Sequence, residues 1–176
     1  MRQIAVKIWG LVLMIGFVGS AHADRYEVDP VHSSVVFRVK HSDVSYVYGI
    51  FKQVNGFFTL DGQGGFAISI PVAGVESGNP GRDNHLKSPD FFSARQFPTI
   101  QFQSTEVQPA GEDKLNVTGK LMIKGVEKPI QVEVRKTGVG KGRGGEPIGG
   151  MEATLQINRS DFRVGGPGGL SDDVLI

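Results

Sequence analysis

The chain of 176 residues contains no cysteine. No disulfide can brace it, no thiolate can bind a metal or attack a substrate, and no diacylated lipoprotein anchor can form, so the fold must stand on its core alone. Charge of either sign is not in excess: 19 lysines and arginines face 18 aspartates and glutamates. The cations are scattered along the chain, whereas a nucleic-acid binder carries a basic excess or stripe, so that partner is excluded. Helical periodicity of any length and internal repeats are missing. So are the motifs of several common chemistries: there is no GxSxG elbow, no GxxxxGK(S/T) phosphate cradle, and no HxH or HExxH pair among the four histidines.

The first 23 residues read as a separate element. Arg2 and Lys7 make a basic start, residues 8–19 are an apolar run of 12, and Ala21-His22-Ala23 is a small-x-small cleavage site before Asp24. The run is shorter than the roughly 20 residues a spanning helix needs. It is read as a secretory leader removed on export, leaving 176 − 23 = 153 residues, 24–176, as one domain. Loss of Arg2 and Lys7 leaves 17 basic against 18 acidic residues, a net charge of −1. The single tryptophan, Trp9, leaves with the leader, as does Phe17, one of eleven phenylalanines.

What remains is dominated by alternation. Tyr26 and Val28, then Val35, Phe37 and Val39, step by two, as a strand with one buried face does. Residues 42–49 lose the pattern and read as a connector or short helical turn. Residues 50–61 are expected to form one long strand bent by a bulge at Gly56, and 61–65 a hairpin loop. Phe66, Ile68, Ile70 and Val72 alternate, as do Ile100 and Phe102, then Leu115 to Ile123, then, after a turn at 125–128, Ile130, Val132 and Val134. Gly-rich residues 141–150 and 165–170 read as mobile loops, with a strand over 151–157 and a final strand of three or four residues. The expected fold is all-β, an antiparallel barrel of about eight strands with a short helical insertion around residues 79–92.

That insertion, GNPGRDNHLKSPDFF at residues 78–92, is where alternation stops and charge, amide, imidazole and paired phenylalanines gather. A helical turn or two ended by Pro89 would put Arg82 and His85, three apart, on one face. Arginine grips a diphosphate bidentately, and Asp83 could orient His85 or pair with Arg82. The plainer alternative is a structural Arg82–Asp83 ion pair with His85 a satisfied polar group. The phenylalanines carry the same two readings, core packing or the lining of a lumen.

Several separate stretches, in order, are similar to the YceI-like family of periplasmic polyisoprenoid-binding proteins: YEVDPVHSSVVFRVKH, GIFKQVNGFFTLD, SGNPGRDNHLKSPDFF, FPTIQFQST, VTGKLMIKGVEKPI and INRSDF. The resemblance implies an elongated, lipocalin-like barrel with an apolar tunnel for a long isoprenoid or fatty chain, whose head is a diphosphate, a quinone ring or an amide. The family's polar cluster falls on Arg82, Asp83 and His85, with His32 and Arg38 or His41 as neighbours. Asn158, Arg159 and Asp161 match its NRSDF element, and the lumen candidates include Phe37, Phe91, Phe92 and Phe102.

The resulting expectation is a periplasmic, non-enzymatic carrier of an amphiphilic lipid, with transient membrane contact, acting as a monomer or homodimer. No metal or cofactor is expected; the isoprenoid, quinone or fatty-chain lipid is the ligand itself. The alternative is a metal- or quinone-dependent enzyme or redox helper using His85 and Asp83. At about 0.8 kcal/mol per buried CH2, a tail of some tens of carbons grosses more than the ceiling of roughly 20 kcal/mol for non-covalent affinity. The tail therefore supplies affinity in excess, and the polar cluster sets which head is accepted.

Overall fold

A computed structural model describes residues 25–59 and 65–176. The leader, residues 1–23, and most of the 61–65 loop lie outside the described residues. In chain order the strands are β1 (Arg25–Glu27), β2 (Val35–His41), β3 (Ser45–Phe51), β4 (Asn55–Thr59), β5 (Phe66–Pro71) and β6 (Val75–Glu76). Helix α1 (Pro80–Lys87) follows, then β7 (Thr99–Pro109), β8 (Lys114–Ile123), β9 (Val126–Lys141), β10 (Pro147–Ala153), β11 (Gln156–Asn158) and β12 (Leu170–Leu175). Seven strands form one sheet in the order β1-β4-β5-β7-β8-β9-β10 and five form the other, β11-β12-β2-β3-β6. All pairings are antiparallel, and the two sheets curl into a nearly closed barrel.

Twelve described strands replace the eight expected because runs that look continuous in sequence are cut where the chain changes sheet. The strand expected over 50–61 breaks at Gln53, whose φ of 61° turns the chain from β3 into β4 of the other sheet. Gly56 is no bulge, since β4 pairs with β5 in unbroken register. Its role is close approach: a Cβ there would lie 1.9 Å from the Ala67 carbonyl oxygen. Likewise the 151–157 run divides between β10 and β11.

Residues 45–49, expected in a connector, belong to β3, reached through a turn in which Ser42 and Asp43 both take left-handed φ (51° and 57°). The final strand is six residues rather than three or four. It lies between β11 and β2, and its pairing with β2 is interrupted between Leu170 and Val174.

The alternation has its expected packing consequence. On β8, Leu115, Val117, Leu121 and Ile123 are buried, while Lys114 and Lys120 are exposed. The buried residues form two apolar clusters along the barrel, one around Phe37, Phe51, Ile70, Ile100 and Phe162, the other around Phe66, Leu115, Val117, Val132 and Val134. Phe102 packs against both. Each such side chain contributes about 1.5–3 kcal/mol when fully buried.

Glycine makes room for the rings. A Cβ on Gly49 would stand 2.3 Å from Phe37 Cζ, and one on Gly119 would stand 2.5 Å from the Phe102 ring. Gly49→Val should therefore lower the unfolding free energy by about 1–3 kcal/mol through overpacking. Urea titration checks this; an unchanged midpoint would mean that the Phe37 ring is free to move aside.

Candidate functional site

Helix α1 packs on the first apolar cluster through Leu86, and its boundaries follow from its sequence. Asn79 is the N-cap, its side-chain oxygen accepting from the Arg82 backbone N–H at 3.0 Å, and Pro80 occupies the first turn, where a missing N–H costs nothing. The helix, Pro80–Lys87, lies within the helical insertion expected around residues 79–92 and ends before Pro89. Beyond Ser88 the chain folds back through bonds from Phe91 N to Ser88 O (3.1 Å) and from Phe92 N to Leu86 O (3.0 Å). Phe91 and Phe92 are thereby laid against the first apolar cluster, with Phe92 edge-on to Phe51.

Two cations fix the irregular backbone around this end. Lys124 and Gly125, with φ of 50° and 73°, form the two-residue β8–β9 hairpin turn, one residue ahead of the expected position. From that turn Lys124 Nζ donates to Pro89 O and to Arg163 O, both at 2.8 Å. Arg159 donates to Ser171 O (2.9 Å), Val164 O (3.0 Å) and Leu170 O (3.2 Å), bracketing the Gly-rich loop at both ends. Gly165 N donates to Asp90 O at 3.0 Å, tying that loop to the helical insertion.

Between them lies an open groove of about 610 Å³ lined by His85, Asp90, Phe91, Lys124, Arg163 and the loop from Gly165 to Leu170. His85 stands edge-on to Phe91, ring centroids 4.8 Å apart, with Nε2 3.5 Å from Asp90 Oδ2. The lining thus sets the cations Lys124 and Arg163 beside Phe91, which also packs on the interior. An ammonium has three donors, and two on Lys124 are committed to carbonyls.

The residues singled out from sequence are distributed as follows. His85 and Phe91 line the groove. Arg82 and Asp83 both turn to Ser77: Asp83 accepts from its N–H and hydroxyl, and Arg82 donates to its hydroxyl (2.8 Å) and carbonyl (2.6 Å). Phe37 and Phe92 belong to the first apolar cluster, and Phe102 joins the two. Arg38 lies over the Tyr46 ring, 4.8 Å from its centroid, on the outer face of β2 and β3. His32 donates to Asp29 at 2.6 Å on the exposed β1–β2 connection. That bond and the Val31 N–H hold the Asp29 carboxyl below its ordinary value. His41 sits beside the Gly-rich loop, where Ser42 N bonds to Gly169 O.

The sequence reading passes over Lys124, Asp90 and Arg163, and gives the loop at 165–170 no place at the groove. A Lys-Gly pair between two alternating runs is a hairpin signal that could have placed Lys124 at this end of the barrel. The reach of its ammonium to two distant carbonyls has no signature in sequence.

This arrangement defines a class: an antiparallel barrel with an apolar interior and a polar-lipped groove at one end. The chain belongs to the YceI-like domain family, which matches residues 26–176. It is similar to Protein YceI of Salmonella newport, with 35% identity over 160 residues covering 88% of this chain and 83% of that protein. It is also similar to a UPF0312 protein of Enterobacter sp. (strain 638), 36% identical over 181 residues, covering 97% and 94%. Among solved structures, Burkholderia cenocepacia BcnA aligns with a TM-score of 0.69 at 29% identity, over 81% of this chain and 91% of that one. Campylobacter jejuni YCEI protein aligns at 0.68 and 33%, over 86% and 92%. A polyisoprenoid binding domain from Saccharophagus degradans shares the fold at 15% identity, TM-score 0.64, over 87% and 94%.

The groove's frame carries a pH dependence. Asp172 accepts from the Ser160 hydroxyl (2.6 Å) and backbone N–H (2.9 Å), and these bonds, with Arg159 nearby, hold its carboxyl below the ordinary 3.8. A lowered folded-state value means that the stabilisation is complete at neutral pH and is lost as pH falls below 3.8 through the folded value. Asp172→Asn should be less stable than the parent at pH 6, with the gap closing on acidification. Denaturant midpoints measured from neutral to acid pH check this; a gap constant with pH would contradict it.

Proposed function

We propose that the protein is an exported, non-enzymatic carrier or reservoir for a long-chain isoprenoid or similar amphiphile, held tail inward in the barrel with its polar head in the groove beside α1. The observation that carries the reading is the double position of Phe91, which lines the groove and packs on the interior cluster. A ligand following that ring passes from cationic side chains to apolar ones, which is the polarity profile of an amphiphile. Phe102, half-buried between the two clusters, continues the apolar path along the barrel.

Lys124, Arg163 and His85 offer donors to a head that is anionic or rich in acceptors, while Asp90 disfavours a second negative charge close to His85. The fold neighbour described as a polyisoprenoid binding domain agrees with this reading, although the likeness is one of fold. The leader read in residues 1–23 supports export, and the family resemblance supports a periplasmic destination.

Native mass spectrometry of the mature protein purified from periplasm, followed by organic extraction, tests the proposal. The expected result is an added mass that extracts as a prenyl or acyl chain with a polar head. Phe102→Asp should carry none while retaining a β-sheet circular dichroism spectrum, and His85→Ala should carry the same tail class with a broader set of heads. A bare parent protein, or identical lipid in both variants, overturns it.

A further inference from the structure

The Gly-rich stretch KGRGGEPIGG, residues 141–150, takes no part in the groove. In sequence it reads as a loop; in the structure it is the tip of a paired ribbon. Strand β9 pairs with β8 only as far as Arg135, opposite Lys114. Beyond that point β9 and β10 pair with each other alone, Gly138 with Gly150, Val139 with Gly149, Gly140 with Ile148 and Lys141 with Pro147. The ribbon therefore projects past the β7–β8 turn, at the end of β9 opposite Lys124 and the groove.

Two features set this ribbon apart from the barrel wall. The first is apolar exposure: Val139 is 73% and Ile148 50% exposed, and each stands opposite a glycine that offers no side chain to cover it. The second is unpaired charge. On the wall, Lys114, Lys120, Lys128 and Arg135 are paired with Glu133, Glu127, Asp161 and Glu152. Among the described residues, Lys136, Lys141 and Arg143 of the ribbon have no carboxylate partner. Against these three cations residues 136–150 contain one acid, Glu146, a balance of 3 − 1 = +2. Glu112 and Asp113 lie at the ribbon's base, where Lys136 N donates to Asp113 O.

We propose that this ribbon docks the protein on an anionic phospholipid surface by the face that Val139 and Lys141 share, two residues apart on one strand, with Val139 entering the boundary between headgroups and acyl chains and Lys141 and the tip's Arg143 meeting the phosphates. Exposed apolar side chains beside unpaired cations are the combination such a surface rewards, and each cation near it strengthens binding about fivefold. The proposal does not rest on the carrier reading, because the ribbon and the groove are at opposite ends of the barrel.

Co-sedimentation of the mature protein with phosphatidylcholine vesicles, with and without phosphatidylglycerol as the only anionic lipid, tests it. The protein should pellet with the anionic vesicles and be released by raised salt. Lys141→Gln and Arg143→Gln should each weaken binding roughly fivefold, and Val139→Ser should weaken it as well. His85→Ala should bind as the parent does, and the ribbon variants should keep the parent's lipid content. Equal binding to both vesicles, or ribbon variants that bind like the parent, overturns the proposal. So does binding to neither vesicle, which would leave an acidic protein surface as the ribbon's partner.

Discussion

Irregular backbone cannot satisfy its own carbonyls, and the groove end of this barrel depends on two side chains that do so. Lys124 and Arg159 together hold five carbonyl oxygens, those of Pro89, Arg163, Val164, Leu170 and Ser171. Charged donors make the stronger class of hydrogen bond, and here they tie a hairpin turn, the helical insertion and the Gly-rich loop into one frame. Without that frame Phe91 would have no fixed place between groove and interior. The two carbonyls that Lys124 grips are 74 residues apart, since 163 − 89 = 74, so its contact is long-range in the sense that specifies tertiary structure.

The interior is governed by a second constraint, the fit of large rings over glycines. Phe37 lies over Gly49 and Phe102 over Gly119, so each ring takes the volume that a side chain on the neighbouring strand would occupy. A core without cysteine, disulfides or tryptophan is thus built from phenylalanine and branched aliphatics. Such a core is chemically uniform and apolar. The polar groups are gathered instead at the groove, in His85, Lys124, Arg163 and Asp90.

Much of this fold is legible in sequence because alternation reports burial directly, as on β8 from Leu115 to Ile123. Where the signal failed, the cause is physical. Gly49 removes an inward apolar residue from β3, so the alternation from Val47 to Phe51 is hidden although the strand is there. Sheet crossings such as the one at Gln53 depend on a left-handed residue that is not glycine. The insertion at 78–92 was visible as a break in pattern, and His85 and Phe91 were singled out from it. Lys124 and Arg163 were not, because their position at the groove comes from loop geometry that only the folded chain provides.

The orientation of a bound amphiphile is the central claim, and paramagnetic relaxation measured on amide signals tests it most directly. A prenyl-chain probe spin-labelled at its head should broaden His85, Lys124 and Gly165, and the same probe labelled at its tail should broaden Val117 and Val132 in the second apolar cluster. The same residues broadened by both labels, or a tail label that reaches only outward-facing residues such as Glu133, would contradict a tail held inside the barrel.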